Sequence, residues 1–199
     1  MHRRNLLLGA GALTFAPGFI SAAWAANAAE AFVSGNIQAG FAILNDQSLA
    51  LAARRDRFAA FLLGLTDARR VALFVLGRYA NGQSQEDLDA YVAAYQDYAL
   101  SIYQTYFELY AGQTLRVVSS RERAPGDFIV TTNMVGQPNM TMPIDFRVRT
   151  DGEKPLLVDV AVAGVWLGLA QRDQIQAQLA RNNGDIKGLI VQLRAPRKG

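Results

Sequence analysis

The sequence predicts an α+β fold in which N-terminal helices wrap an antiparallel four-stranded sheet. Two observations lead to this prediction. Up to about Gly112, apolar residues recur every three or four positions, which is the spacing of an amphipathic helix. Beyond Gly112 they alternate with polar residues, as in half-buried strands, until helical spacing returns near Leu169. No internal repeat or flexible linker divides the chain, so we expect one domain.

Four helices are predicted in the first half of the chain, over residues 28–44, 48–63, 67–77 and 84–110. Asp67 has the short acceptor side chain of a helix N-cap. Ser84 and Asp87 resemble a capping box, with aspartate in place of the usual glutamate or glutamine. These polar residues predict where the third and fourth helices begin.

The fourth predicted helix carries an aromatic stripe. Its apolar residues are spaced three and four positions apart and comprise Leu88, Tyr91, Tyr95, Tyr98, Ile102, Tyr106 and Leu109. An amphipathic helix buries such a stripe against another element. We therefore expect this helix to cover the apolar face of the sheet.

Four strands are predicted in the second half, over residues 114–121, 127–135, 140–149 and 156–163. The third shows the clearest alternation of apolar and polar residues. It contains Pro143, which has no backbone N–H to donate, so we expect this part of the strand to lie at an edge or a bulge. Short helices over residues 173–181 and 185–193 are predicted to close the chain.

Residues 1–25 are predicted to form an export signal. Arg3 and Arg4 precede an apolar segment, and Ala23 and Ala25 suit a small-residue cleavage site. The paired arginines also fit a twin-arginine signal, so both general and twin-arginine export stay open. We expect cleavage near Ala25, which would leave one soluble domain at residues 26–199 in the periplasm. A retained membrane anchor is the alternative.

The composition argues against most kinds of catalysis. The single histidine, His2, lies in the predicted signal, and the chain has no cysteine. The remaining domain therefore cannot hold a Ser-His-Asp triad, a Cys-His pair, a His/Cys zinc site or a disulfide. We expect a binding protein without metal or cofactor. The alternative from another class is a small enzyme that uses Asp145 and Asp159 as an acid–base couple.

The charge distribution says little about partners. The formal net charge is +3, and Arg3 and Arg4 in the predicted signal contribute two of these charges, so we expect no nucleic-acid partner. Arginines do gather on the second and third predicted helices, at Arg54, Arg55, Arg57, Arg69, Arg70 and Arg78. They form either a solvated face or a surface for acidic headgroups or an acidic partner.

Seven segments together resemble the MlaC family, the toluene-tolerance (Ttg2-type) periplasmic phospholipid-binding proteins. They are FVLGRY at 74–79, YALSIY at 98–103, FELY at 107–110, VDV at 158–160, GV at 164–165, QRDQ at 171–174 and GLI at 188–190. The resemblance covers most of the chain from about Phe32 to Leu193. It implies a nuclear-transport-factor-2-like sheet wrapped by helices, with a deep apolar pocket for lipid tails.

The resemblance also implies the partners. Proteins of this family shuttle phospholipid between an outer-membrane lipoprotein complex and an inner-membrane ABC-type transporter, and we expect a monomer. Two departures from the family pattern, Lys154-Pro155 before the fourth strand and Trp166 after Gly164-Val165, look like the hopanoid-associated branch, HpnM. A hopanoid or other polycyclic lipid is therefore the alternative ligand.

Strand parity and helical phase, rather than matched family ligands, select the residues expected to line the pocket. Methionine suits such a wall because its flexible side chain adapts to variable apolar shapes. From the sheet we select Phe128, Val130, Met134, Met140, Met142, Ile144, Phe146, Val158 and Val160, and from the helices Phe61, Phe74, Tyr95 and Tyr106.

Overall fold

The computed structural model describes residues 18–108, 112–136 and 142–195, with side chains described from residue 28 onward except at 103–108. Its helices are α1 (Gly18–Leu44), α2 (Leu51–Gly64), α3 (Ala68–Leu76), α4 (Gln85–Glu108), α5 (Leu167–Arg181) and α6 (Ile186–Arg194), with a 3₁₀ turn at Gly77–Ala80. Its strands are β1 (Thr114–Ala124), β2 (Asp127–Val135), β3 (Pro143–Arg149), β4 (Leu156–Val162) and β5 (Val165–Trp166). The predicted α+β class is confirmed.

The sheet is antiparallel throughout, in the order β1-β2-β3-β4-β5. The two-residue strand β5 was not expected, since Gly164 was expected only to end β4. Ala163 and Gly164 both have positive φ, 49° and 83°. A two-residue hairpin turn needs this backbone conformation, and it returns the chain onto β4. The predicted four-stranded sheet therefore gains a short fifth strand.

Pro143 lies neither in an edge strand nor at a bulge, so that expectation was wrong. It is the first residue of β3, which is an interior strand between β2 and β4. The first position of a strand tolerates proline. The Pro143 carbonyl accepts a hydrogen bond from the Ala163 N–H at 3.1 Å. The bulge of this strand pair lies further along, between Arg147 and Val148.

The predicted helix caps are confirmed. The Asp67 carboxylate accepts the Arg70 N–H at 2.9 Å at the start of α3. The Ser84 hydroxyl accepts the Asp87 N–H at 3.1 Å at the start of α4. The shorter aspartate changes the second half of the capping box, because its carboxylate accepts the Ser84 hydroxyl at 2.8 Å instead of reaching back to a backbone N–H.

Helix α1, rather than α4, covers the apolar face of the sheet. Ala29 and Val33 of α1 are buried against Phe128, Val130 and Val148 of β2 and β3. Over its described side chains, α4 instead packs into a separate core with α3, α5 and α6. Of the predicted stripe, Tyr91 and Tyr95 are buried in this core and Leu88 and Tyr98 pack partly buried against it, but spacing alone cannot identify the element that buries them.

The described residues therefore form two apolar cores. The helical core contains Ala72, Val75, Leu76, Tyr91, Val92, Ala94, Tyr95, Ile175, Leu179, Ile186, Leu189, Ile190 and Leu193. The sheet core contains Ala29, Val33, Phe128, Val130 and Val148. Helix α2 belongs to neither core and has no fully buried residue.

Helix α1 begins at Gly18, ten residues before the predicted start and upstream of the predicted cleavage position near Ala25. The arginines of the predicted signal lie outside the described residues, so export and cleavage stay predictions. Across the described ranges, no helix combines the length and the apolarity that a bilayer crossing requires.

Candidate functional site

The pairing register places most of the predicted sheet residues on one face. Phe128 lies opposite Val148, and Val130 lies opposite Phe146, across β2 and β3. Phe146 in turn lies opposite Val160 on β4. Because side chains directly opposite one another in a sheet share a face, these residues form one continuous apolar surface. Met134 and Ile144 share the parity of this surface.

The helices cover this apolar face unevenly. Phe128 and Val130 are almost wholly buried beneath α1. Met134, Phe146 and Val160 on the same face are only half-buried. Met142 is also half-buried, and its carbonyl accepts the Met134 N–H at 3.1 Å. The face thus has apolar area that the described residues do not fully cover.

A bulge alters the face on β4. The register passes from Arg147 opposite Asp159 to Val148 opposite Leu157, so Val158 is the extra residue of the bulge. Leu157 packs against the sheet core. Sequence reasoning missed Leu157 because strict alternation assigns it to the other side, and nothing in the alternation indicates a bulge.

Helix α2 presents a second half-buried apolar surface, which includes Phe61. The rings of Phe58 and Phe61 lie 6.1 Å apart and face Gly40 of α1. A Cβ at Gly40 would lie 3.3 Å from the Phe61 ring, so the glycine permits close approach of the two helices. The Leu157 N–H bonds to the Leu65 carbonyl at 2.8 Å, which joins the end of α2 to β4.

The structure does not bring Tyr95 or Phe74 to the sheet face. Tyr95 lies in the helical core, where its hydroxyl donates to Gln171 of α5. Phe74 is 43% exposed, and the Arg172 guanidinium lies 4.7 Å from its ring centroid. Two further candidates cannot be placed in the site: Met140 lies outside the described residues, and Tyr106 lies where only the backbone is described.

The opposite face of the sheet is polar. Asp145 accepts the Thr131 hydroxyl at 2.7 Å. One oxygen of Asp159 accepts the N–H groups of Val160 and Gly168, both at 2.8 Å, so this carboxylate caps the start of α5 from β4. Burial raises the pKa of Asp159. Both aspartates therefore have structural partners, and strand parity directs them away from the apolar face.

Other possible sites carry little chemistry. No group of three or more His, Cys, Asp or Glu residues in the described part of the chain could hold a metal ion. A surface depression of about 320 Å³ lies near the end of α5, lined by Arg78, Tyr79, Asn81, Gln83, Leu179, Ala180, Asn183 and Gly184. It is at the small end of the range for ligand pockets and is bordered mainly by polar residues.

The fold and the site define an α+β domain whose sheet presents an incompletely covered apolar face to helices. The chain belongs to the MlaC family: the family model described as MlaC protein matches residues 35–195. The resemblance stated from the sequence is confirmed.

One solved structure of similar fold is the phospholipid-binding protein from Ralstonia solanacearum, determined in complex with a phospholipid. It aligns with a TM-score of 0.72 at 18% identity, over 82% of this chain and 93% of that one. At this identity the likeness establishes the fold. No curated protein sequence matches the chain.

Proposed function

We propose that this protein is a periplasmic phospholipid carrier that holds acyl chains between the apolar sheet face and helices α1 and α2. The observation that carries the proposal is the half-buried part of that face, formed by Met134, Met142, Phe146 and Val160. Membership of the MlaC family and the phospholipid bound to the Ralstonia protein support the same conclusion.

Enclosure is the physical requirement for such a carrier. Transfer of one methylene from water to an apolar site is worth about 0.8 kcal/mol, so a sixteen-carbon chain costs roughly 12 kcal/mol to expose. A sheet face covered by helices on one side can shield most of a chain from water. The site needs neither a nucleophile nor a metal, because holding a lipid breaks no bond.

Transport by this route needs partners. Binding to a soluble domain supplies no energy for directional movement, so the proposed carrier exchanges lipid with membrane complexes. We propose an outer-membrane lipoprotein complex at one end and an inner-membrane ABC-type transporter at the other. Family membership supports this scheme. The predicted signal at residues 1–25 is consistent with it, because these partners meet in the periplasm.

Native mass spectrometry of freshly purified protein tests the proposal. Wild-type protein should carry a two-chain phospholipid. Met142→Asp should abolish lipid retention while the domain stays folded, because a carboxylate on a half-buried apolar wall cannot be desolvated against acyl chains. Val118→Asp is the matched control, since Val118 is 57% exposed and lies in the β1 bulge.

Each possible outcome supports or contradicts a specific part of the proposal. A full complement of phospholipid on the Met142→Asp variant would contradict the proposed site. A hopanoid on the wild-type protein would replace phospholipid with the polycyclic alternative. Protein that stays free of lipid after incubation with phospholipid vesicles would contradict the carrier function itself.

A further inference from the structure

Helix α2 places an arginine where its apolar side begins. Arg54 is partly buried, and Phe58 and Leu62 follow it at intervals of one turn on the same side of the helix. All three are half-buried, whereas Asp56 on the opposite side and Arg57 on the flank of the helix are exposed. Arg54 therefore lies at one end of the apolar surface of α2.

The Arg54 guanidinium is only partly satisfied by the protein. Its Nη1 donates to the Leu44 carbonyl, at the end of α1, at 3.0 Å. Its Nε is buried, and no acceptor in the described part of the chain lies within hydrogen-bonding distance of it. A buried donor on a cation is costly unless an acceptor meets it. An anionic oxygen bound at the Nε side of the guanidinium would supply the missing acceptor.

The carboxylate of Asp46, which interacts electrostatically with Arg54, is hydrogen-bonded elsewhere. Asp46 accepts the N–H of Ser48 at 3.1 Å and also its hydroxyl. The guanidinium of Arg57, which is 62% exposed, lies 3.6 Å from the other carboxylate oxygen. The Ser48 hydrogen bonds are the main reason that the pKa of Asp46 is lowered, and Arg54 acts on it only at longer range. Arg54 thus keeps bonding capacity that its own neighbours do not use.

The geometry of α2 relates this cation to the apolar face. The helix spans about 20 Å at 1.5 Å per residue. Arg54 lies in its first turn, beside the end of α1, and Leu65, just after its last residue, bonds to β4. An acyl chain lying along the apolar side of α2 would reach the sheet with its polar end beside Arg54.

We propose that Arg54 binds the phosphate of the carried lipid and so selects phosphate-bearing lipids over neutral lipids with the same acyl chains. This inference rests on the proposed function. Guanidinium groups suit the task, because their planar donors bond phosphate oxygens in pairs. The partly buried setting strengthens the attraction relative to a fully solvated arginine.

A competition between two lipids tests this selection. Protein stripped of lipid is incubated with vesicles that contain phosphatidylglycerol and diacylglycerol of identical acyl chains, and the bound lipids are quantified by native mass spectrometry. The wild-type protein should prefer the phospholipid. Arg54→Met should lower the bound phospholipid-to-diacylglycerol ratio by about tenfold or more, the range expected for charge-assisted hydrogen bonds. Its diacylglycerol binding should persist.

Arg57→Met is the matched control, since it removes an exposed arginine from the same helix and should leave the ratio unchanged. An unchanged ratio in Arg54→Met would overturn the inference while leaving the carrier function intact. Wild-type protein that bound neither lipid would instead contradict the proposed function. Arg54→Gln gives the same comparison if the methionine variant does not fold, because glutamine keeps a donor for the Leu44 carbonyl.

A further experiment distinguishes a lipid phosphate from free inorganic phosphate as the anion that Arg54 binds. Added in excess, inorganic phosphate should not lower the phospholipid ratio of the wild-type protein, because free phosphate brings no acyl chain to the apolar face. If inorganic phosphate instead raised the melting temperature of lipid-free wild-type protein and not of Arg54→Met, Arg54 would be a free-phosphate site. That result would overturn the assignment to lipid.

Discussion

Two aspartates on the polar side of the sheet respond to folding in opposite ways. Asp127 is 4% exposed and accepts both Arg147 and Arg123, with the Arg147 Nη2 contact at 2.8 Å and the Arg123 Nη2 contact at 3.0 Å. The Arg147 hydrogen bonds hold its pKa below the usual value of 3.8 despite burial. Within the described part of the chain, Asp159 accepts hydrogen bonds from the backbone N–H groups of Val160 and Gly168, and burial raises its pKa. Folding therefore lowers the pKa of one aspartate and raises that of the other, so the two residues make the stability of the fold depend on pH in opposite directions.

Asp127→Asn should lower the free energy of unfolding at pH 7 by about 1.5–3 kcal/mol, because it removes charged hydrogen bonds. A lowered folded pKa gives stability that is present above pH 3.8 and lost as the pH falls through that folded pKa. The difference between variant and wild type should therefore shrink below pH 4. Urea denaturation at pH 7 and pH 3 measures it. Asp151→Asn, which breaks a solvent-exposed pair with Arg149, should have a much smaller effect.

Asp159→Asn should be at least as stable as wild type at pH 7. Asparagine keeps an oxygen for the N–H groups of Val160 and Gly168 and removes a buried charge. A raised folded pKa gives stability that is full below 3.8 and lost as the pH rises through the folded pKa, and the variant should lack this dependence. Asp159→Ala should lose about 1 kcal/mol, because the α5 cap disappears. Thermal melts between pH 4 and pH 8 measure these differences. Equal melting temperatures of the Asp159→Asn and Asp159→Ala variants would contradict this account.

At the scale of elements, α2 has no fully buried residue, yet its half-buried aromatic rings meet α1 at a glycine. The packing of these two helices thus depends on the small size of Gly40. A helix held by so little buried area can separate from its neighbour more easily than α4 or α6. We expect α2 to be the element that moves when lipid enters.

Gly40→Val should lower the free energy of unfolding by about 1–3 kcal/mol and reduce lipid retention, because the new side chain would force the Phe61 ring away from α1. Gly35→Val is the control on the same helix, since nothing lies within 4 Å of a Cβ at Gly35. Chemical denaturation and lipid quantification on both variants check this. Equal behaviour of the two variants would show that the α1–α2 contact is unimportant.

At the scale of the whole molecule, the two cores have different roles. Partly buried apolar side chains border both cores, but only the sheet core shares its face with Met134, Phe146 and Val160 of the proposed lipid site. If lipid completes the sheet core, lipid binds only the folded state and must stabilise it. At a free lipid concentration of one hundred times Kd, this effect would be about 2.7 kcal/mol.

Removal of lipid should therefore lower the melting temperature of the wild-type protein. Leu179→Ala, at a fully buried position of the helical core, should cost about 2–5 kcal/mol. This loss should be the same with and without lipid, because Leu179 packs in the helical core and not in the sheet core. Met142→Asp should instead remove the increase in melting temperature that bound lipid gives the wild-type protein. Melting curves of both variants with and without phospholipid test the separation of the two cores.

Local sequence patterns were sufficient to predict the fold class and the helix caps at Asp67 and Ser84. They also predicted which strand residues share one face of the sheet, namely Phe128, Val130, Ile144, Phe146 and Val160. Each of these depends on neighbours a few positions away, and periodicity records such neighbours. The resemblance of ordered segments was likewise sufficient for the family.

Long-range contacts decided the rest. Helix α1 rather than α4 covers the sheet, and α5 starts at Leu167 because Asp159 caps it from another strand. Phe74 faces solvent beneath Arg172, although its helical phase made it a pocket candidate. Hydrophobic spacing shows which side chains form an apolar stripe, but not whether each one is covered or which surface covers it. That choice is made by competition among all the apolar surfaces of the folded chain, which only the tertiary structure resolves.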